Sequence, residues 1–260
     1  MAFKIALSAG HGKYTAGKRC LKSLDPKETR EWVLNSRIAD KIENLLKDYS
    51  GYELLRLDDR TGVTDVSLST RSSAANKFKA DFYIAVHHNA GVNGGQGGGI
   101  VAFVYTKASA ESIAWQKALY AKLIEKTGLR GNRSEPLAKG NLHECREPYM
   151  PSVLLELGFM DSRVDVPVIL TEKFADQCAK AIVEVIAARG KLTKKAAVEP
   201  SYKVRVTADA LNIRDGAGTN YKVNGCITDK GVYTIVKTKG NWGFLKSSAG
   251  WVCLDYTTKI

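Results

Sequence analysis

The sequence predicts a two-part protein, in which an α/β domain with a twisted sheet flanked by helices precedes a small all-β barrel. Over residues 1–190, short apolar runs of strand length alternate with stretches of helical period. Residues 201–260 contain short β-rich runs separated by glycine-containing turns, which is typical of a small barrel. Between them, residues 191–200 (KLTKKAAVEP) show no apolar period, concentrate lysine and end in proline, so we interpret them as a linker.

The composition is that of an ordinary globular chain with a basic surface. A chain of 260 residues with 44% hydrophobic content is long enough for one full-sized domain and a smaller one. Lys and Arg number 39 against 27 Asp and Glu, so the surface should attract polyanions such as nucleic acid, anionic lipid or an anionic cell wall. A basic surface without a specific partner explains the charge equally well. The five cysteines include no C-x-x-C pair, which argues against a disulfide framework and against a thiolate zinc site.

The amino terminus, MAFKIALSAGHG, carries only a short apolar run before Gly10. Such a run is too short for a signal peptide or a membrane span. We therefore expect a chain that is made in the cytoplasm without a signal peptide and that does not insert into a membrane.

The first five elements of the α/β domain alternate between strands and helices. The first strand, FKIALSAG, is an apolar run that ends in a loop, and the first helix follows because its apolar residues recur at three- and four-residue steps. Asp25-Pro26 is a suitable start signal for that helix. The predicted order is a strand at 3–10, a helix at 28–49, a strand at 52–57, a helix at 67–78 and a strand at 81–90.

The second half of this domain continues the alternation after a glycine-rich passage. Gly190 is a suitable C-cap for the closing helix. The predicted elements are a strand at 100–105, a helix at 108–128, a strand at 152–159 and a helix at 172–190.

The C-terminal residues contain five short runs that alternate in polarity or are rich in β-branched and aromatic residues. These runs are YKVRV, LNIRD, YTIVK, GFLKS and GWVCL. About sixty residues suffice for one compact module and not for two.

Two of the sequence segments that contain histidine, SAGHG and YIAVHHNA, lie at the ends of predicted buried strands. In α/β sheets, ligands bind at such ends. A catalytic zinc site needs several converging donors and one position left for water. No H-E-x-x-H motif is present. The position of these histidines in the sequence is therefore compatible both with a metal site and with histidines that only contact solvent.

Five motifs, taken together and in order, resemble one enzyme family. They are S-A-G-H-G at 8–12, E-x-x-x-N at 31–35, L-x-x-R-x-x-x-A-N at 68–76, V-H-H-N-A at 86–90 and M-P-S-V-L-L-E-L-G-F at 150–159. Residues 1–185 resemble the zinc-dependent N-acetylmuramoyl-L-alanine amidases of the amidase-3 type.

The resemblance implies that His11, Glu31 and His87 bind Zn²⁺ and that Glu156 is the catalytic glutamate. Two neutral imidazoles and one carboxylate would leave the ion a net positive charge, which polarises an amide carbonyl and acidifies water. Glu156 would accept the proton of that water and pass it to the departing nitrogen, since an amide anion is a poor leaving group.

Two of these assignments have a neighbouring alternative. His88 follows His87 directly, and neighbours in a strand point to opposite faces, so only one of the two can face a metal unless the strand has already ended. Glu28 lies three positions before Glu31, almost on the same helical face, and the spacing to Asn35 favours Glu31.

Three further residues have functional and structural interpretations. Glu156 is the only ionisable residue in the apolar run SVLLELGF, where burying a carboxylate is costly, so a site role is favoured over a structural ion pair. Arg71 is either a clamp for a substrate carboxylate or one half of a structural ion pair, of which the second is favoured. His143 stays unassigned.

The C-terminal runs L-N-I-R-D-G, N-W-G and G-W-V resemble a bacterial SH3-type domain over 203–258. Such domains commonly bind the bacterial cell wall. The aromatic residues of this segment either stack on a sugar or peptide or fill the interior of the barrel. They are Trp242, Trp251, Tyr221 and Tyr256.

The whole chain is therefore expected to hydrolyse the amide bond between N-acetylmuramic acid and L-alanine in peptidoglycan. It resembles a phage endolysin or an autolysin, which acts at the wall after release from the cytoplasm. Expected partners are peptidoglycan and its anionic wall polymers, and not nucleic acid. The alternatives are a zinc peptidase that cuts within the stem peptide and a non-catalytic wall-binding protein.

Overall fold

A computed structural model describes residues 2–195 and 201–260, and the chain divides into two compact units, Met1–Lys195 and Ala196–Ile260. The first unit alternates strands and helices along the chain. Its elements are β1 (Phe3–Ala9), α1 (Glu31–Leu46), β2 (Tyr49–Ser50), β3 (Tyr52–Arg56), α2 (Leu68–Phe78), β4 (Phe82–Asn89), β5 (Ile100–Tyr105), α3 (Ala110–Thr127), β6 (Leu137–Gly140), α4 (His143–Arg146), β7 (Ser152–Phe159), α5 (Val166–Ile169), α6 (Glu172–Arg189) and β8 (Thr193–Lys194).

Six of these strands form one central sheet in the order β3-β1-β4-β7-β5-β6. All neighbouring pairs are parallel except β5 and β7, which run antiparallel. Because β1, β4 and β7 are parallel neighbours, their carboxyl ends lie side by side at one edge of the sheet. The α/β prediction with a central sheet and flanking helices is confirmed.

The two faces of the sheet differ in the size of the apolar core that covers them. Helices α1, α3 and α6 pack on one face with the larger apolar core, and α2 and α4 cover the other face with a smaller core. On β4, Phe82, Ile84 and Val86 belong to the larger core, while Tyr83 and Ala85 belong to the smaller one. By alternation, His87 projects on the face of α2 and α4.

The predicted helices are present, and side chains cap three of their amino termini. Ser67, Ser109 and Thr171 each accept a hydrogen bond from the backbone three residues on, as N-cap residues do. Helix α1 begins at Glu31, later than predicted, because the Asp25 carboxylate accepts the N–H groups of the following turn.

Part of the segment interpreted as a linker is ordered against the first unit. Strand β8 pairs with β2 in a two-stranded sheet, and the N–H of Lys195 donates to the carbonyl of Asp48. Residues 196–200 of the predicted linker lie outside the described residues. Among the described residues, no helix is both long and apolar enough to cross a lipid bilayer.

The second unit is an all-β sheet of seven strands in the order β11-β10-β14-β13-β12-β9-β15. Its strands are β9 (Tyr202–Val206), β10 (Leu211–Arg214), β11 (Val223–Ile227), β12 (Val232–Lys239), β13 (Trp242–Leu245), β14 (Trp251–Cys253) and β15 (Thr257–Lys259). A core of seven buried aliphatic side chains, separate from that of the first unit, fills it: Val204, Val206, Leu211, Ile227, Ile235, Leu245 and Val252. Strands β11 and β15 were not expected, because their sequences do not alternate cleanly between apolar and polar residues.

Candidate metal centre

Three side chains that sequence reasoning selected meet at the carboxyl ends of the parallel strands. His11 follows β1, Glu31 opens α1 and His87 lies near the end of β4. Each offers one ligand atom, and these atoms all lie within 4.8 Å of one another. The convergence depends on the fold, because the three residues come from three different elements.

The spacing within this cluster suits a small divalent cation. Glu31 Oε1 is 3.1 Å from His87 Nδ1, and Glu31 Oε2 is 3.4 Å from His11 Nε2. Tetrahedral zinc with ligand distances of about 2.0–2.1 Å places its ligand atoms roughly 3.4 Å apart. In addition, Glu31 Oε2 is buried and accepts no hydrogen bond. A buried carboxylate oxygen without a hydrogen bond is costly. The Lys18 ammonium lies 3.8 Å from this oxygen, and a metal cation would supply a closer interaction.

His11 approaches the cluster from a turn. Its backbone has a φ of 64°, in the left-handed region that few residues other than glycine adopt. Its Nδ1 is 4.0 Å from Asp65 Oδ2, on the side away from Glu31. Burial lowers the pKa of His11 to about 4, with the charge of Glu31 opposing the shift. The imidazole is therefore neutral at pH 7, which is the form that binds a metal.

His87 lies between two carboxylates. Its Nδ1 faces Glu31, and its Nε2 is 3.1 Å from Glu144 Oε2. Burial alone would lower the pKa of His87, but hydrogen bonds to Glu144 and Glu31 outweigh burial and raise the pKa to about 10. Burial likewise opposes ionisation of Glu31, yet the hydrogen bond and charge of His87 hold its pKa at about 2. Without metal, a protonated, positively charged His87 offsets the negative charges of Glu31 and Glu144.

Glu144, which is almost fully buried, was not predicted from the sequence as a residue of the site. Its Oε1 accepts hydrogen bonds from Tyr83 Oη at 2.7 Å and from Ser8 Oγ at 2.8 Å. Ser8 Oγ in turn accepts from Arg71 Nη1 at 2.7 Å. Helix α4, which carries Glu144, has only four residues, so no periodic pattern marks the buried position.

Arg71 uses its guanidinium within the protein. The side chain is 1% exposed and donates to the backbone carbonyls of Ala9 and Val66 as well as to Ser8. These bonds tie the end of β1 to the start of α2. Arg71 also lies 3.4 Å from Asp65 Oδ1 and 4.0 Å from Glu144 Oε1, so the interpretation of Arg71 as part of a structural ion pair fits its contacts.

Glu156 is the register partner of His87 on the neighbouring strand, so both side chains project on the same face of the sheet. One of its oxygens, Oε2, is buried and has no hydrogen-bond partner. Burial raises the pKa of Glu156 to about 7, with the charge of His87 opposing the shift. A carboxyl group with this pKa can both accept and donate a proton near neutral pH.

Gly10 makes room for the ring of His87. Gly10 is the neighbour of His87 across β1 and β4, and its N–H donates to the carbonyl of Val86. A Cβ added at Gly10 would lie 2.1 Å from the imidazole. Only glycine at this position leaves His87 where it is.

The alternatives to the three clustered residues point elsewhere. His88 Nδ1 donates to Asn35 Oδ1 at 2.8 Å, and burial lowers the pKa of His88 to about 3. Glu28 lies before α1 and pairs with Arg19 at 3.0 Å.

His143, which stayed unassigned, does not join the cluster either. Its Nε2 is 3.1 Å from Ser72 Oγ, between the first residue of α4 and helix α2.

With this geometry in place, comparisons with known proteins show what the chain is similar to. A family model described as N-acetylmuramoyl-L-alanine amidase matches residues 5–188. The chain is 29% identical over 230 residues to the sporulation-specific N-acetylmuramoyl-L-alanine amidase of Bacillus subtilis (strain 168), covering 85% of this chain and 82% of the relative. It is 31% identical over 198 residues to the endolysin of Bacillus phage SPP1, covering 75% of this chain and 69% of the endolysin.

Solved structures resemble the chain as well. An N-acetylmuramoyl-L-alanine amidase from Clostridium difficile 630 superimposes with a TM-score of 0.64 and 27% sequence identity, over 72% of this chain and 96% of that chain. The catalytic domain of an amidase from Bacillus (Paenibacillus) polymyxa matches with a TM-score of 0.63 at 24% identity, over 73% of this chain and 98% of the other. At that identity, the second match supports the fold alone.

Proposed function

The chain belongs to the N-acetylmuramoyl-L-alanine amidase family, and we propose that it works as a zinc enzyme whose metal ligands are His11, Glu31 and His87. It hydrolyses the amide bond between N-acetylmuramic acid and the L-alanine that begins the stem peptide of peptidoglycan. The observation that carries the zinc proposal is the convergence of three donor atoms around a buried oxygen of Glu31 that lacks a hydrogen-bond partner. Two imidazoles and one carboxylate are a donor set that zinc hydrolases use.

Glu156 carries the proton through the reaction in this proposal. When bound, zinc supplies positive charge that polarises the scissile carbonyl and lowers the pKa of water. Glu156 accepts a proton from water as the water oxygen bonds to the carbonyl carbon, and then donates it to the nitrogen as the C–N bond breaks. The products are the lactyl carboxylate of N-acetylmuramic acid and a stem peptide with a free amino terminus. A pKa raised towards 7 supports both halves of this role.

The substitution Glu156→Gln tests the proton carrier. We expect the variant to fold and to bind one zinc ion while its turnover falls by about 10²-fold or more, because the amide cannot accept a proton. Turnover is measured on purified peptidoglycan, and zinc content by elemental analysis. Glu53→Gln, which changes an exposed glutamate of β3, is the matched control and should keep full activity. Near-normal turnover of Glu156→Gln would remove Glu156 from the role.

Mass spectrometry of the digested peptidoglycan separates the alternative activities. An amidase releases stem peptides that are intact and begin with L-alanine. A zinc peptidase that cuts within the stem would leave alanine attached to N-acetylmuramic acid, and a non-catalytic wall-binding protein would release neither product. Detection of cut stems as the main product would contradict the amide specificity given above.

For the second unit we propose an SH3-type fold that holds the enzyme on the cell wall. A surface groove of this unit is lined by a half-buried Trp242 and by Tyr256, which is 53% exposed, together with the charged side chains of Arg214 and Asp255. Aromatic faces beside charged groups suit a peptide or sugar of the wall. Weak binding of the wall at this groove adds to weak binding at the active site, because the linker makes the second binding event intramolecular.

Wall binding is tested by sedimentation of residues 201–260 with purified walls. The unit has its own apolar core, so it should fold alone. We expect binding that weakens as salt rises, since residues 201–260 contain nine Lys and Arg against four Asp and no Glu, and this positive charge attracts anionic wall polymers. No sedimentation at low salt would contradict the proposal.

A further inference from the structure

Glu144 has no part in the proposed chemistry, yet it contacts one of the proposed ligands from behind. We propose that Glu144 is a positioning residue, which holds His87 with its proton on Nε2 and thereby keeps the lone pair of Nδ1 directed at the cluster with His11 and Glu31. The inference rests on the proposed function, because it matters only if Nδ1 binds a metal.

The geometry at His87 carries the argument. Nδ1 is 3.1 Å from Glu31 Oε1 and Nε2 is 3.1 Å from Glu144 Oε2, so both ring nitrogens have fixed partners. A neutral imidazole has one N–H and one lone pair, and an ionised carboxylate can only accept. When a cation occupies the side of Nδ1, Glu144 must receive the N–H of Nε2. The carboxylate therefore selects the tautomer that can bind a metal.

The second oxygen of Glu144 accepts from two hydroxyl groups and lies near a guanidinium. Oε1 accepts from Tyr83 Oη and Ser8 Oγ, and Arg71 Nη1 lies 4.0 Å away. Glu144 is 2% exposed, and a carboxylate buried to this degree persists only with such partners. These bonds leave Oε2 fixed and facing His87.

The hydrogen bonds around Glu144 also restrict the orientation of the His87 ring. Tyr83 and His87 are four positions apart on β4, so they project on the same face of the strand, and Glu144 spans both. Gly10 lies against the imidazole, because a Cβ added at this position would be 2.1 Å from the ring. A ring held at both nitrogens and along one face has little freedom to turn.

The test compares Glu144→Gln with Tyr83→Phe in the full-length protein. In Glu144→Gln, an amide N–H directed at Nε2 favours the tautomer with the proton on Nδ1, while the flipped amide deprives the Tyr83 and Ser8 hydroxyls of their acceptor. Tyr83→Phe removes one bond to Oε1 and leaves the bond to His87. We expect Glu144→Gln to weaken zinc binding by about 10- to 100-fold, and Tyr83→Phe by less than about threefold.

Zinc affinity is measured by competition with a chromophoric chelator, and stability by urea unfolding of the metal-free proteins. Long-range ¹H–¹⁵N spectra of the zinc-loaded wild type should show His87 protonated at Nε2. If the two variants lose zinc affinity in proportion to their loss of stability, Glu144 has only a structural role and the inference is wrong. If the wild type itself binds no zinc, the proposed function fails instead, so the two failures are distinguishable.

Discussion

His11 and His87 reach the same cluster from opposite kinds of backbone. His87 lies in a central strand of the six-stranded sheet, is 7% exposed, and has a carboxylate 3.1 Å from each ring nitrogen. His11 lies in a turn after β1 with a left-handed backbone, is partly exposed, and has its second carboxylate, Asp65, 4.0 Å away. His87 thus has a close partner at each ring nitrogen, whereas the contacts of His11 are longer.

The difference between the two histidines shows how a site can be both ordered and accessible. The position of His87 is set by buried hydrogen bonds, which define the geometry before any ligand arrives. The position of His11 is set by a turn, and its ring nitrogens make longer contacts, 3.4 Å to Glu31 and 4.0 Å to Asp65. We therefore expect the cluster to have a rigid half at β4 and an adjustable half at the end of β1.

The largest expected effect concerns the stability of the metal-free protein. His87→Ala leaves the carboxylates of Glu31 and Glu144 buried without their common partner, so we expect a loss of about 3–5 kcal/mol in the free energy of unfolding. His11→Ala removes a partly exposed neutral ring and should cost about 1 kcal/mol or less. Urea unfolding in the presence of a chelator gives both values. Equal losses would show that the two histidines are not held differently.

The pH dependence of the same measurement provides a control. The pKa of His87 is raised from 6.5 to about 10 on folding, so its charge contributes stability that is fully present below pH 6.5 and is lost as the pH rises through 10. The difference between wild type and His87→Ala should accordingly shrink between pH 7 and pH 10. A constant difference over that range would mean that neutral packing, and not the charge of His87, supplies the stability.

A smaller effect is expected from crowding the rigid half. Gly10→Ala places a methyl group against the His87 ring, which must move away from its two carboxylates. We expect zinc binding to weaken by about 10-fold or more and the free energy of unfolding to fall by about 1–3 kcal/mol. Gly225→Ala is the control, because the added Cβ meets nothing closer than 3.8 Å in the second unit. Unchanged zinc affinity in Gly10→Ala would show that His87 is not rigid.

The smallest effect is expected at the adjustable half. Asp65→Asn keeps one oxygen, which can still accept from Arg71, replaces the oxygen that accepts from Thr15 by an amide NH₂, and removes the charge that faces His11 Nδ1. Because the contact is long and Asp65 is exposed, zinc binding should weaken by only about two- to fivefold. Chelator competition measures the change. A loss as large as that expected for Glu144→Gln would mean that both histidines depend equally on a carboxylate behind them.

Most of the secondary structure could be predicted from the sequence because the apolar periods are long and regular. Strands β1, β4, β5 and β7 and helices α1, α3 and α6 all coincide with such periods. Helix α1 starts later than its pattern because Asp25 binds the backbone of the turn before it, a local interaction that periodicity does not express. Strand β6 and helix α4 have four residues each, too few for any period to appear.

The site could be predicted only as far as its residues lie in motifs. His11, Glu31, His87 and Glu156 each stand in a recognisable run, and alternation along β4 separates His87 from His88 once the strand is known to extend to Asn89. Glu144 could not be found in this way. Its partners Ser8 and Tyr83 come from other strands, and nothing in the run H-E-C-R indicates that its glutamate is buried.

Ser8 and Glu144 share a hydrogen bond across 136 positions of the chain, which has a consequence for how the protein folds. A growing chain that ends before Glu144 already contains the three residues of the cluster but lacks the group behind His87. Contacts of such long range cost the entropy of closing a large loop, so we expect this one to form late on the folding path. Interactions that form after the barrier to folding lower the rate of unfolding and leave the rate of folding nearly unchanged. We therefore expect the Ser8–Glu144 hydrogen bond to slow unfolding of the native state and to change the rate of folding little.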